Sequence, residues 1–454
     1  MNNSILVQPL STFASWIECR RLPQGEVGSV NPDEIYCPER VGHVAVCILD
    51  ELLVWGGYHE RRLGYGYCTG SEVWSYNLDL DRWFKYVPHG NSPEFASGAC
   101  SAVVWPYWYI FLGHNLNGNS NEMSRLNLQT CTWESVGPEM RISPRDKSVA
   151  WVFGSKIFVF GGYGVSPYTT YLWNRETDVF SKENWNDERG WDNQIASFDT
   201  LTNQWHPVET RGPKPKARAA HSAVRVGEAV YIFGGRSGGM RMADLHRLDL
   251  LDLTWSGELS CQGQRPEGRS WHTMSALSRH KLVLMGGYNT SGQILDDLWL
   301  LSLESMSWSI LLQHSNRFRL WHTSCANSMG DVLIFGGCTN DILDNSRRME
   351  ASDHVLTVRL EPFSLERLCM HRLWRNGYSN QAGWDSLPRS CQLWLEAYKR
   401  SNSEINRRIY RCNATSLHGP SLRQLTVLQP DQANYINMNI FELERWRALE
   451  QRLF

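Results

Sequence analysis

Four things are missing from this 454-residue chain: a long apolar run, a C-x-x-C pair, a basic block, and a leader with a charged start and an apolar core. Each absence excludes something. The longest apolar stretch, Ala102 to Leu112, has eleven residues and contains Pro106, whereas a spanning helix needs about 20. Without a leader the chain is expected to stay in the cytoplasm or the nucleus. Net charge is −2 with no cationic cluster, so nucleic acid and membranes are not the expected partners. The twelve cysteines are scattered, which argues against a zinc site or a redox motif; Cys47, Cys100 and Cys325 sit in strand-like runs, where a thiol acts as a small hydrophobe. There is no H-E-x-x-H, no nucleophile elbow and no cluster of His and Cys ligands. The expectation is a non-catalytic protein with no metal and no cofactor.

What the chain does have is repetition. An apolar run ends in a glycine pair, or a near relative, six times: Leu53 to Gly57, Ile110 to Gly113, Phe158 to Gly162, Tyr231 to Gly235, Val283 to Gly287 and Leu333 to Gly337. Each run reads as a buried strand, and each glycine marks a turn or a close backbone approach. A repeat of roughly 50 residues decides the architecture before any local reading. Sheets repeated about an axis are the usual solution.

Each unit carries more of the pattern. Trp83, Trp133, Trp205, Trp255 and Trp308 each precede the next glycine motif by 28 to 31 residues. Between them recurs Arg-x-x-His: Arg40 with His43, Arg218 with His221, Arg269 with His272 and Arg319 with His322. The third unit keeps Arg145 but has Ser148 in the histidine slot, and the second has lost the pair around Gly98. This pattern resembles the kelch repeat over residues 16 to 360. The resemblance implies an all-β fold, a six-bladed propeller of four-stranded blades, occupying residues 1–360. The sixth unit has no terminal tryptophan, and Trp16 lies upstream of Arg40 and His43 in the order of the other units. The N-terminus is therefore expected to supply the last strand of blade six, which leaves no open edge.

In such a blade the segment before the first strand and the segment after the second lie at one mouth of the channel. The post-glycine residues there are Tyr58, His114, Tyr163, Arg236, Tyr288 and Cys338, and those just before the histidine include Gly42, Lys147, Ala220, Trp271 and Trp321. The same mouth receives the long insertion that ends near Trp191: Gly162 to Trp205 spans 43 residues, where three other units need 20 or 21. Long loops on a rigid scaffold commonly carry binding. Aromatic rings, the cations Arg236, Arg241 and Lys147, and few carboxylates suit a small anion on a slim body. The arginine fork matches a carboxylate, at about 1.5–3 kcal/mol for each charge-assisted bond. A peptide's C-terminal carboxylate answers to that description. The competing readings are that the aromatics cap blade ends and that the two arginines pair with loop carboxylates. The recurring Arg-x-x-His residues read as structural.

After residue 360 the spacing turns helical. Leu365, Leu368, Cys369 and Leu373 form one apolar stripe behind Ser364, a suitable N-cap. Leu387-Pro388-Arg389-Ser390-Cys391 follows, with proline suited to a first helical turn. The first segment resembles an elongin-binding box and the second a cullin-2 box, together spanning 361–400. By that resemblance Leu365, Cys369 and Leu373 would contact elongin C, in its complex with elongin B, and Leu387, Pro388 and Cys391 would contact cullin-2. An amphipathic helix packed beneath the propeller would look similar. The tail, 401–454, is expected to be partly helical or disordered.

Taken together, the chain resembles the kelch-domain-containing substrate receptors of cullin-2 ubiquitin ligases, which recognise proteins with a C-terminal glycine. The resemblance implies that Arg236, Arg241 and Ser270 hold the carboxylate. It implies walls of Tyr163, Trp191, Trp271 and Trp321, with Lys147 near the peptide backbone. Ser237-Gly238-Gly239-Met240, between the two arginines, is more flexible than the family pattern. The alternative is a propeller scaffold for cytoskeletal or signalling contacts with no ligase role.

Overall fold

The computed structural model describes residues 17–20 and most of 36–359, with 166–188 the longest internal stretch outside that set; residues from 360 onward also lie outside it. The expected box helices and the tail therefore fall outside the described residues, with Leu365, Cys369, Leu373, Leu387, Pro388 and Cys391.

Six sheets, each built on four antiparallel strands, follow one another along the chain. Blade one is Val44–Ile48, Glu51–Trp55, Val73–Asn77 and Arg82–Tyr86, in that order from the inside outward. The apolar runs read from the sequence are the second strands: Glu51–Trp55, Tyr107–Phe111, Lys156–Phe160, Ala229–Phe233, Lys281–Asn289 and Val332–Phe335. They are apolar on both faces because neighbouring blades cover both faces. The innermost strands of successive blades touch in sequence, and Thr323–Ala326 of blade six meets Val44–Ile48 of blade one. The ring is closed, and the chain is a six-bladed β-propeller.

Blade six takes its outermost strand from the start of the chain. Ile17–Arg20 runs antiparallel to Val355–Val358, with Ile17 opposite Val358 and Arg20 opposite Val355. The two ends of the ring are thereby tied in one sheet, and no edge is left on Val355–Val358.

The glycine pairs and the repeat arginines are one device. The N–H of the second glycine donates to a backbone carbonyl of the next blade: Gly162 to Arg218 at 2.8 Å, Gly235 to Arg269 at 2.8 Å, Gly287 to Arg319 at 2.8 Å and Gly337 to Arg40 at 2.9 Å. Only glycine allows that approach. Gly235 has φ +97, and a Cβ there would stand 2.6 Å from the Cβ of His221. Blade two shows the cost of departing from the pattern, since Leu112 replaces the first glycine and still adopts φ 62. Each repeat arginine turns back to the first glycine of its own blade: Arg218 Nη1 donates to Gly234 O at 2.8 Å and Arg319 Nη1 to Gly336 O at 2.8 Å. Arg218 and Arg269 also form two-pronged bonds to Asp244 and Asp297, and Arg145 pairs with Asp192.

The histidines bond across blades. His272 reaches Ser222 Oγ at 2.8 Å, His322 reaches Thr273 Oγ1 at 2.8 Å and His43 reaches Thr323 Oγ1 at 2.7 Å. Each partner is the residue that follows the histidine of the preceding blade. Blade three offers Val149 at that place, and His221 is buried with neither ring nitrogen bonded among the described residues. The outer tryptophans wedge against the preceding blade: Trp83 on Phe335 at 4.8 Å, Trp205 on Phe111 at 5.9 Å, Trp255 on Phe160 at 5.3 Å and Trp308 on Phe233 at 5.4 Å between ring centroids. Truncating one such ring costs about 3–5 kcal/mol.

Candidate functional site

At one end of the channel the residues preceding the repeat histidines form a continuous hydrogen-bonded ring. Gly42 N–H donates to Trp321 O, Trp321 to Trp271, Trp271 to Ala220, Ala220 to Lys147, Lys147 to Gly98 and Gly98 to Gly42, at 2.7 to 3.2 Å. All six residues are left-handed, with φ between 53 and 63. Such a conformation costs a non-glycine residue about 1–2 kcal/mol and is kept where the surroundings over-determine it. Here the ring itself does so. Neighbouring strands lie about 4.8 Å apart, so opposite backbones of this six-membered ring stand about 10 Å apart. The ring N–H groups are all consumed, and recognition at this mouth falls to side chains.

Those side chains differ around the ring. Gly42, Gly98 and Ala220 leave three positions open, while Trp271 and Trp321 lie nearly parallel, their centroids 5.6 Å apart at 25°. A Cβ on Gly42 would meet the Trp321 ring at 2.9 Å, so the indole lies where only glycine leaves room. Tyr58 also packs on Trp321, edge to face at 5.6 Å. Lys147 Nζ sits over Trp321, 5.1 Å from the ring centre, and is paired with the buried Asp146. The sequence suggested a cation with few carboxylates near it; Lys147 is instead neutralised by its neighbour. Tyr163 pairs with Asp146 through the backbone and packs on Trp191, with ring centroids 5.0 Å apart. Of the long insertion, only its first and last residues are described.

The second cluster is cationic. Arg236–Ser237 and Met240–Arg241 form a short hairpin that sets Arg236 opposite Arg241. Arg241 Nε donates to Ser270 Oγ at 2.9 Å, its backbone N–H donates to Thr290 Oγ1 at 3.1 Å, and its guanidinium lies over the Tyr288 ring at 4.5 Å. Arg236 Nε donates to Gly238 O at 2.9 Å within the hairpin. Among the described residues neither arginine is ion-paired with a carboxylate, in contrast to Arg145, Arg218 and Arg269. Burial, then the like charge of Arg236, moves the Arg241 pKa below the usual arginine value. Two adjacent guanidinium groups, half-buried and with no ion-paired carboxylate among the described residues, have the chemistry to receive an anion.

The eight mouth residues named from the sequence are thus contiguous. Arg236, Arg241 and Ser270 lie on blades four and five, Trp271 and Trp321 follow, and Lys147, Tyr163 and Trp191 complete the group. Sequence reasoning placed Tyr288 at the mouth but gave it no role. Its ring touches both Trp271, at 6.2 Å, and Arg241. The post-glycine slot it shares with Tyr163 was the available signal. Asp341, which accepts from Tyr288 Oη at 2.7 Å, lies in a blade-six loop with no repeat equivalent and gave no signal. His114, the only histidine of the post-glycine slots, is bonded to Tyr67 Oη at 2.9 Å. No group of three metal-ligating side chains occurs among the described residues.

Comparison with known proteins agrees with this architecture. The profile of the KLHDC2/KLHL20/DRC7 kelch-repeats domain matches residues 24–182 and 182–337. Kelch domain-containing protein 2 of Bos taurus is 37% identical over 368 residues, covering 78% of this chain and 90% of that protein. The human protein of the same name is 37% identical over 381 residues, covering 81% and 93%. Kelch domain-containing protein 1 of Mus musculus is 33% identical over 390 residues, covering 81% and 94%. With its glycine pairs, repeat arginines and closed six-bladed ring, the chain belongs to the KLHDC2/KLHL20/DRC7 kelch-repeat family.

Proposed function

We propose that this chain is a non-catalytic substrate receptor of a cullin-2 ubiquitin ligase, which binds proteins through a C-terminal glycine of the Gly-Gly type. The observation that carries the binding half of this reading is the pair Arg236 and Arg241, set side by side with no ion-paired carboxylate among the described residues. A chain-terminal carboxylate offers two oxygens to Nη groups whose Nε edges are already occupied by Ser270 and Gly238. Trp271 and Trp321 flank the approach, so residues with little or no side chain reach the arginines most readily. Glycine is the smallest.

The ligase half rests on Leu365, Cys369 and Leu373 for elongin C with elongin B, and on Leu387, Pro388 and Cys391 for cullin-2. In this reading the propeller presents its target for ubiquitination, in the cytoplasm or nucleus.

The test is a titration with one Gly-Gly-ended peptide as free acid and as C-terminal amide. Tight binding of the acid and loss with the amide is expected; equal binding of the two, or none, would leave a scaffold propeller. For the ligase half, Leu365→Ser with Cys369→Ser is expected to abolish co-purification with elongins B and C while peptide affinity stays unchanged. Retained elongin would remove that half of the reading.

A further inference from the structure

Arg241 is held from three directions, all by blade five. Thr290 takes its backbone N–H, Ser270 takes Nε, and the face of Tyr288 lies against the guanidinium plane. What remains is the edge carrying the two terminal nitrogens, which are not hydrogen-bonded among the described residues. A guanidinium is planar, so fixing Nε and one face fixes the direction of that edge.

Tyr288 is itself fixed. It is 4% exposed, its ring packs at a tilt against Trp271, and its hydroxyl donates to Asp341 Oδ2 at 2.7 Å. Asp341 is anchored in turn, its Oδ1 accepting the backbone N–H of Leu343 at 2.9 Å. A carboxylate touching Arg241 would saturate the Nη groups that an incoming anion must use. Asp341 instead accepts from the hydroxyl tip of Tyr288 and is not bonded to Arg241 among the described residues, so it balances part of the positive charge without occupying those donors.

We propose that Tyr288, braced by Asp341, is the positioning residue that aims Arg241, and that this pair sets the preference of the site for a free carboxylate over an amide. The inference rests on the chain-end reading above and goes further, because it assigns a role to blade six, which supplies no arginine to the site. Tyr288 acts through Arg241 and needs no contact with the ligand.

The experiment is a double-mutant cycle on the full chain, read by fluorescence polarisation with one Gly-Gly-ended peptide as acid and as amide. Tyr288→Leu removes the ring face and is expected to weaken the acid at least tenfold while leaving the amide unchanged. Tyr288→Phe keeps the ring and loses the brace, and about a threefold loss is expected. Asp341→Ala, in a surface loop, should reproduce the Tyr288→Phe loss without risk to the core. In an Arg241→Ala background, Tyr288→Leu should cost nothing more. An equal loss on acid and amide, or the same loss with and without Arg241, overturns the inference while the chain-end reading stands. If the wild-type protein itself shows no preference for the acid, both fall together.

Discussion

Gly42 donates its backbone N–H to the carbonyl of Trp321 at 3.2 Å, and with that bond the ring around the channel mouth closes across the seam between blades one and six. The two residues are 279 positions apart, yet each limits the other. The indole occupies the space a Gly42 side chain would need.

Gly42→Ala should therefore affect stability and binding together. The left-handed conformation, φ +63, costs alanine about 1–2 kcal/mol, and the new methyl displaces Trp321, over which Lys147 sits. A lower melting temperature and at least a threefold loss of peptide affinity are expected. Unaltered affinity would show that Trp321 does not form the pocket wall.

Two arginines of one blade-five neighbourhood should behave oppositely. Arg241→Ala is expected to cost at least tenfold in acid-peptide affinity, about 1.4 kcal/mol, with little change in melting. Arg269→Met leaves Asp297 without its two-pronged partner and should cost about 3–5 kcal/mol of stability. Denaturant titration beside a binding titration separates the two. If Arg241→Ala unfolds the protein, Arg241 is structural.

Val149→Thr would supply the hydroxyl that blades four, five and six give to the next histidine. His221, buried with no bonded ring nitrogen among the described residues, would gain a hydrogen bond worth about 1 kcal/mol. A raised denaturation midpoint is expected. A lowered one would show that burial of the Val149 methyl matters more.

The same histidines predict acid sensitivity. Burial and Arg319 push His322 down to about 3. Burial, followed by the repeat arginines, holds His43, His221 and His272 well below the usual histidine value. Near pH 6.5 the unfolded chain takes up protons that the folded chain refuses. Stability is thus fully present above that pH and falls as the pH drops toward 3, at up to about 1.4 kcal/mol per pH unit for each histidine. His322→Gln should flatten the fall between pH 6 and 4 in urea titrations. An unchanged slope would place the acid response elsewhere.

The propeller was legible because its signals are local and repeat. An apolar run such as Phe158 to Phe160, followed by two glycines, reports a covered strand and a tight backbone approach without knowledge of the partner. Repeat position likewise brought Lys147, Trp271 and Trp321 to one mouth. The pairing of Lys147 with Asp146 was less visible: adjacent residues on a strand face opposite ways, and only the left-handed turn at Lys147, φ 56, brings the two charges together.

The sequence by itself determined the number of blades, their order and the residues that ring one mouth, since periodicity and glycine stereochemistry act over a few residues. It also named Arg236 and Arg241 as cations of that mouth. Only the tertiary structure decided which arginines are ion-paired and which, among the described residues, are not. That depends on which carboxylates the folded chain brings within reach: Asp297 bonds Arg269 directly, whereas Asp341 bonds the hydroxyl of Tyr288, whose ring face lies on Arg241.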